Sequence, residues 1–194
     1  MSTRRNFVKK TAALGVGIAL APQLTFGTTN TKKEKLNIGL IGVGLRGTNH
    51  LNNLLSRDDC NIIAICDIDP KRISIAQDLI TGKGQKKAAI FGKYDYDYRN
   101  LLALKDIDAV IICTPTDTHA DLIEDFARAG KAIFCEKPVD LDLSRVKACL
   151  KVVEETKATL MVGFQRRFDP DFQALRAEID AGNIGEVEMV TLIS

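Results

Sequence analysis

The feature that most constrains this chain is the way an apolar run ends. Residues 36–41, LNIGLI, are mostly apolar and partly β-branched, and they break into Gly42-Val43-Gly44-Leu45-Arg46-Gly47. A short apolar run bounded by glycine reads as a strand buried in a parallel sheet. Beyond Gly47 the period changes, because Leu51, Leu54 and Leu55 recur at helical spacing with polar residues between them. The glycines therefore lie between a strand and a helix, the context in which a G-x-G-x-x-G pattern carries physical meaning.

In that context each glycine has its own task. Gly42 permits the tight turn, Gly44 lets the backbone approach a pyrophosphate, and Gly47 lets the helix pack against the strand. Leu45 and Arg46 sit where the helix N-terminus turns its unpaired N–H groups toward phosphate oxygens. A second apolar run, residues 61–66, ends in Asp67, about 25 positions beyond Gly42. A carboxylate there accepts hydrogen bonds from the adenosine ribose hydroxyls and repels a 2′-phosphate, which favours NAD over NADP. Arg72 lies nearby and softens that preference. Asp69-Pro70 reads as a helix N-cap with proline in the first turn, which leaves Asp67 free for the ribose.

The alternation continues. Helices are expected over 70–80, 99–104, 121–129 and 143–155, with strands over 89–91, 109–113, 132–135 and 160–162. Residues 81–87 read as a polar loop. Tyr94, Tyr96 and Tyr98 alternate with Asp95 and Asp97 in a loop leading to the short helix. Strand–helix alternation of this kind predicts an α/β fold, a Rossmann doubly wound parallel sheet with ligands at the carboxyl ends of its strands. A helix over 170–181 and a strand over 188–193 then begin a second α/β domain. The domain plan is an N-terminal segment over 1–34, a dinucleotide-binding domain over 35–164, and the truncated start of a substrate domain over 165–194.

Bulk properties narrow the function further. The 27 Lys+Arg against 25 Asp+Glu in 194 residues give no electrostatic reason for a nucleic-acid partner. No apolar stretch is long enough for a confident membrane span. The five cysteines lack the clustered spacing of metal sites, so no metal is expected, and Cys66, Cys113 and Cys135 end apolar runs as buried thiols do. A disulfide between neighbouring strand ends is the alternative for an exported protein. Residues 3–10, TRRNFVKK, precede an apolar stretch over 12–20 and an Ala19-Leu20-Ala21 cleavage candidate. Arg4-Arg5, Phe7 and Lys9 resemble the twin-arginine export signal, which implies a periplasmic protein folded before export, with no membrane span once the signal is cleaved.

Three polar clusters fall at neighbouring strand ends: Thr114-Pro115-Thr116-Asp117-Thr118-His119, Glu136-Lys137-Pro138, and residues 163–170, GFQRRFDP. On these motifs the chain, from Leu36 onward, resembles the Gfo/Idh/MocA family of NAD(P)-dependent sugar and polyol oxidoreductases. Glu136-Lys137-Pro138 is the most specific match. The resemblance implies that Lys137 is catalytic, holding the reacting hydroxyl and assisting proton transfer, and that His119 shapes the nicotinamide side of the cleft or packs the start of its helix. Thr114, Pro115, Glu136 and Arg166 are implied to border the cofactor. The substrate implied is a small sugar or polyol, and the full-length protein is expected to form a homo-oligomer. His50 reads as structural.

Within that family, residues 135–143, CEKPVDLDL, and 161–180 resemble inositol 2-dehydrogenases. Residues 43–53 and 91–102 look closer to a branch that includes NAD-dependent glycosidases, so the chain reads as a hybrid changing character near Ile107–Val110. The resemblance also places a D-x-x-x-H element beyond Ser194, which makes these residues a fragment expected to bind dinucleotide and to be inactive alone. Three functions stand at this point: inositol 2-dehydrogenase-like hydride transfer from a ring carbinol, redox-neutral chemistry on a retained NAD by a glycosidase or epimerising enzyme, and nucleotide binding without catalysis.

Overall fold

A computed structural model describes residues 35–93 and 97–191. The residues read as an export signal and linker, Tyr94 and Tyr96, and the last residues of the strand expected over 188–193 lie outside the described residues. The six strands are β1 (Leu36–Ile41), β2 (Cys60–Cys66), β3 (Ala89–Phe91), β4 (Ala109–Ile112), β5 (Ala132–Cys135) and β6 (Leu160–Val162). They form one sheet in the order β3-β2-β1-β4-β5-β6, every pair parallel. The helices are α1 (Leu45–Leu55), α2 (Pro70–Gly82), α3 (Tyr98–Leu102), α4 (His119–Arg128), α5 (Leu143–Thr156) and α6 (Pro170–Asp180).

The sheet is buried on both faces, as its sequence demands. Side chains alternate along a strand, yet Leu40 and Ile41 of β1 are both essentially inaccessible and join different apolar clusters. Leu40 packs in one cluster with Leu51 of α1 and Ala76 and Ile80 of α2. Ile41 packs in the other with Ile123 and Phe126 of α4 and Val152 of α5. Chain reversal is what makes a cleft here. From β1 the chain moves outward to β2 and β3, then returns to β4 on the other side of β1. The loops leaving β1 and β4 therefore diverge at their carboxyl ends.

Asx caps set the helix starts. Asp69 accepts from the Lys71 N–H at 2.8 Å, Asp142 from those of Ser144 and Arg145, and Asp169 from those of Asp171 and Phe172. Pro70 and Pro170 occupy the first turn, where a missing N–H costs nothing. Several boundaries differ from the sequence reading. Helix α2 absorbs Thr81 and Gly82, and the Thr81 hydroxyl bonds back to the Gln77 carbonyl at 3.0 Å. A 3₁₀ turn, Thr116–Thr118, runs directly into α4 and starts that helix two residues early.

The expected strand is corrected over residues 188–191. Residues 188–191 are irregular, because a strand is defined by a pairing ladder and these residues have no partner strand among the described residues. Helix α6 has no buried residue, and its Phe172 and Leu175 are exposed.

All five cysteines are free, so no disulfide joins the strand ends. Burial pushes the thiols up: Cys66 and Cys113 to about 12 and Cys149 to about 11, with Cys135 driven further. Since the thiolate is the reactive species, the native protein is expected to resist a disulfide-exchange reagent such as DTNB at pH 7.5. Denaturant is expected to release five equivalents. Rapid native reaction would show that these strand ends are not packed as described.

Candidate functional site

A cleft of about 950 Å³ opens at the carboxyl ends of the central strands. Gly42, Gly44, Leu45 and Arg46 line it from the glycine loop, Asp67 from the end of β2, and Thr114 and Pro115 from the end of β4. Seven residues singled out from sequence thus meet in one cavity. Gly47 lies buried beneath it, and His119, Glu136, Lys137 and Arg166 do not line it.

The three glycines are required for different reasons. Gly42 has φ +82°, and a Cβ there would stand 2.7 Å from the Cys113 carbonyl carbon and 2.9 Å from the Thr114 nitrogen. A Cβ on Gly47 would run into the Gly42 carbonyl oxygen. These two are dictated by the chain's own packing. Gly44 is not: its φ of −65° suits any residue, and the space beside it holds only the guanidinium of Arg72, a half-exposed, flexible side chain. Gly44 is also the N-cap of α1 and supplies no capping bond, and α1 carries no acidic residue in its first turn. Bare first-turn amides facing a cleft, with no carboxylate competing for them, fit the pyrophosphate of a dinucleotide.

Asp67 is not free, which corrects the sequence reading. Its Oδ2 accepts from the Val43 N–H at 2.8 Å and its Oδ1 from the Asp69 N–H at 2.9 Å. It clamps the glycine loop to the end of β2. An ionised carboxylate has about four acceptor positions, so capacity for ribose hydroxyls remains. Asp69 caps α2 as expected and pairs with Arg72 at 3.3 Å.

Behind the loop, Glu136 forms a buried polar cluster. It stands just past β5 and is 7% exposed. Its Oε1 accepts from Arg46 Nε at 2.8 Å, and His50 Nε2 lies 2.7 Å from the same oxygen. Phe134 meets the His50 ring edge to face at 5.1 Å. Burial alone would raise the Glu136 carboxyl, but the hydrogen bonds from His50 and Arg46 outweigh it and hold the group below the usual carboxylate range. The sequence reads His50 as structural, without its bond to Glu136. Its signal was present: it follows Arg46 by one helical turn, so the two share a face of α1.

Lys137 follows Glu136 directly and is exposed, and no hydrogen bond or ion pair engages its ammonium among the described residues. His119, 2% exposed, opens α4 as a brace. Its Nδ1 lies 2.7 Å from the Pro138 carbonyl and its Nε2 2.8 Å from that of Thr114. It ties the turn after Lys137 to the loop after β4 and does not itself enter the cleft. Arg166 is drawn elsewhere: it pairs with Asp169 at 3.6 Å and lies 4.8 Å above the Phe172 ring. A partner three residues away wins over a distant cleft. No group of His, Cys, Asp and Glu arranged to hold a metal ion occurs among the described residues, and no helix there is long and apolar enough to cross a membrane.

A parallel doubly wound sheet with this loop defines a dinucleotide-binding class of domain. The model of the oxidoreductase family with an NAD-binding Rossmann fold matches residues 36–164, and the chain belongs to that family. The chain is 53% identical over 162 residues to an inositol 2-dehydrogenase of Rhizobium meliloti (strain 1021), covering 82% of this chain and 45% of that protein. It is 33% identical over 159 residues to a myo-inositol 2-dehydrogenase of Thermotoga maritima, again covering 82% and 45%. The scyllo-inositol dehydrogenase from Lactobacillus casei, solved with NAD(H) and scyllo-inositol bound, superposes with a TM-score of 0.69 at 28% identity, covering 79% of this chain and 43% of that one. The chain thus spans about half the length of the curated relatives it matches. The Rhizobium match runs through both sides of Ile107, so the hybrid reading is withdrawn: one relative accounts for the two halves together.

The glycine geometry yields a contrast. Gly47→Ala is expected to destabilise the fold by about 1–3 kcal/mol or more, because backbone would have to move. Gly44→Ala is expected to change stability by less than about 0.5 kcal/mol while weakening NAD binding at least tenfold. Thermal melts and a calorimetric NAD titration of both variants check this. Equal loss of stability in the two would contradict the division of roles.

Proposed function

We propose that this protein belongs to an NAD-dependent dehydrogenase of cyclic polyols, oxidising a ring CH–OH of an inositol-like substrate. The observation that carries the proposal is Glu136-Lys137 at the end of β5, with Glu136 bonded into the glycine-loop helix. The similarity to inositol 2-dehydrogenases supports the substrate class.

When bound, NAD supplies the acceptor for the hydride leaving the carbinol carbon. The chain's own residues do the rest. Amides of the first turn of α1 would hold the pyrophosphate beside Gly44, and Asp67 would take the ribose hydroxyls with its remaining acceptor positions. The carboxylate disfavours a 2′-phosphate and so favours NAD over NADP. Lys137 would hold the carbinol oxygen and steady the charge that develops there as the hydroxyl proton passes to solvent water at this exposed edge. His119 holds the turn on which Lys137 stands.

A second reading rests on the leader. Its twin-arginine pattern supports export to the periplasm, where spent cofactor is not regenerated, and that favours redox-neutral chemistry on a retained NAD. Absorbance at 340 nm of the full-length protein with NAD and myo-inositol separates the two. Multiple turnovers of NADH are expected for the dehydrogenase. Nucleotide that stays bound without net NADH would reverse the choice.

In the full-length protein, Lys137→Ala is expected to bind NAD with unchanged affinity and to lose about 10²–10⁴-fold in kcat, the usual span of acid–base assistance. Retained turnover in that variant would remove Lys137 from the reaction.

A further inference from the structure

We propose that Glu136 and His50 are positioning residues that couple occupancy of the glycine loop to the placement of Lys137. The inference deepens the dinucleotide reading above and rests on it. Neither residue lines the cleft at the glycine loop. What they touch is each other and the two elements that matter.

Glu136 is the covalent neighbour of Lys137. Its Oε1 receives Arg46 Nε and faces His50 Nε2, both on α1, some ninety positions earlier in the chain. Helix α1 begins at the glycine loop, and Arg46 lines the cleft itself. Because only Nε of Arg46 is spent on Glu136, the Nη groups remain for an anion in the cleft. A phosphate that pulls on Arg46 therefore pulls on the carboxylate next to Lys137.

The cluster is also built to resist independent motion of its parts. Glu136 is largely removed from water, so the cost of separating it from its donors is high. Its Oε2 stands 3.3 Å from where a Cβ on Gly163 would be, so the loop after β6 closes on it from the far side. Phe134 sits against the His50 ring and limits its rotation. The carboxylate is held by α1, β5 and the end of β6 together. A purely structural ion pair needs none of this adjacency to a solvent-exposed lysine.

The test needs no turnover. Lysines are labelled by reductive ¹³C-methylation, the Lys137 signal is assigned by its loss in Lys137→Arg, and NAD is added to saturation. In the unaltered protein the Lys137 methyl resonance is expected to shift on saturation. In Glu136→Gln, NAD affinity is expected to fall about tenfold, in line with losing charge-assisted hydrogen bonds, and the Lys137 shift at saturation is expected to disappear. His50→Asn is the second variant, outside the cleft and milder, and it is expected to reduce the shift in the same direction; it decides the matter should Glu136→Gln fail to fold. A folded Glu136→Gln or His50→Asn protein showing the full Lys137 shift at saturation would overturn the coupling while leaving NAD binding intact. An unaltered protein that binds no NAD would overturn both the coupling and the dinucleotide reading beneath it.

Discussion

The close approach of α1 to the end of β1 is the constraint on which the rest depends. Only a residue without a Cβ fits at position 47, against the Gly42 carbonyl. That contact fixes where the helix N-terminus stands. It also brings Arg46 and His50, one turn apart on α1, within reach of a carboxylate at the end of β5. A bulkier residue at 47 would move the amides away from the cleft and the two donors away from Glu136 in one step.

Two carboxylates then lock the arrangement from opposite sides. Asp67 holds the loop to β2 through the Val43 amide, and Glu136 holds α1 to β5. Since β2 and β5 flank the β1–β4 switch point, the cleft is fixed at both walls before any ligand enters it. Such preorganisation removes an ordering cost that binding would otherwise carry. It also explains why the two acidic residues closest to the chemistry are engaged with donors of the protein itself. Lys137, in contrast, is left exposed at the end of β5, where the proposed reaction would bring a substrate.

Much of the fold was legible in the sequence, because it rests on local period and local turn chemistry. The run over 36–41, the helical spacing of Leu51, Leu54 and Leu55, and the Asp-Pro helix starts each act within a few residues. The site was legible where a residue's role is set by backbone sterics, as at Gly42 and Gly47. It was less so where the partner is distant. The acceptor role of Asp67 toward the Val43 N–H depends on the pairing of β1 with β2, and no spacing rule announces it. His50 looked like an isolated helix histidine until β5 brought Glu136 to it. Arg166 is the opposite case: its position after a strand suggests the cleft, while Asp169, three residues on, offers a nearer partner. Over residues 188–191 the expected strand is not formed on the same physics, since apolar alternation with no neighbouring strand among the described residues makes no ladder.

The most direct measurement is a crystal structure of the protein with NAD. The pyrophosphate is expected on the first-turn amides of α1 against Gly44, with the Arg72 side chain moved from its place there, the ribose on Asp67, and the nicotinamide directed toward Lys137. Density for the nucleotide outside this cleft, or a pyrophosphate held away from Gly44, would contradict the assignment of the glycine loop.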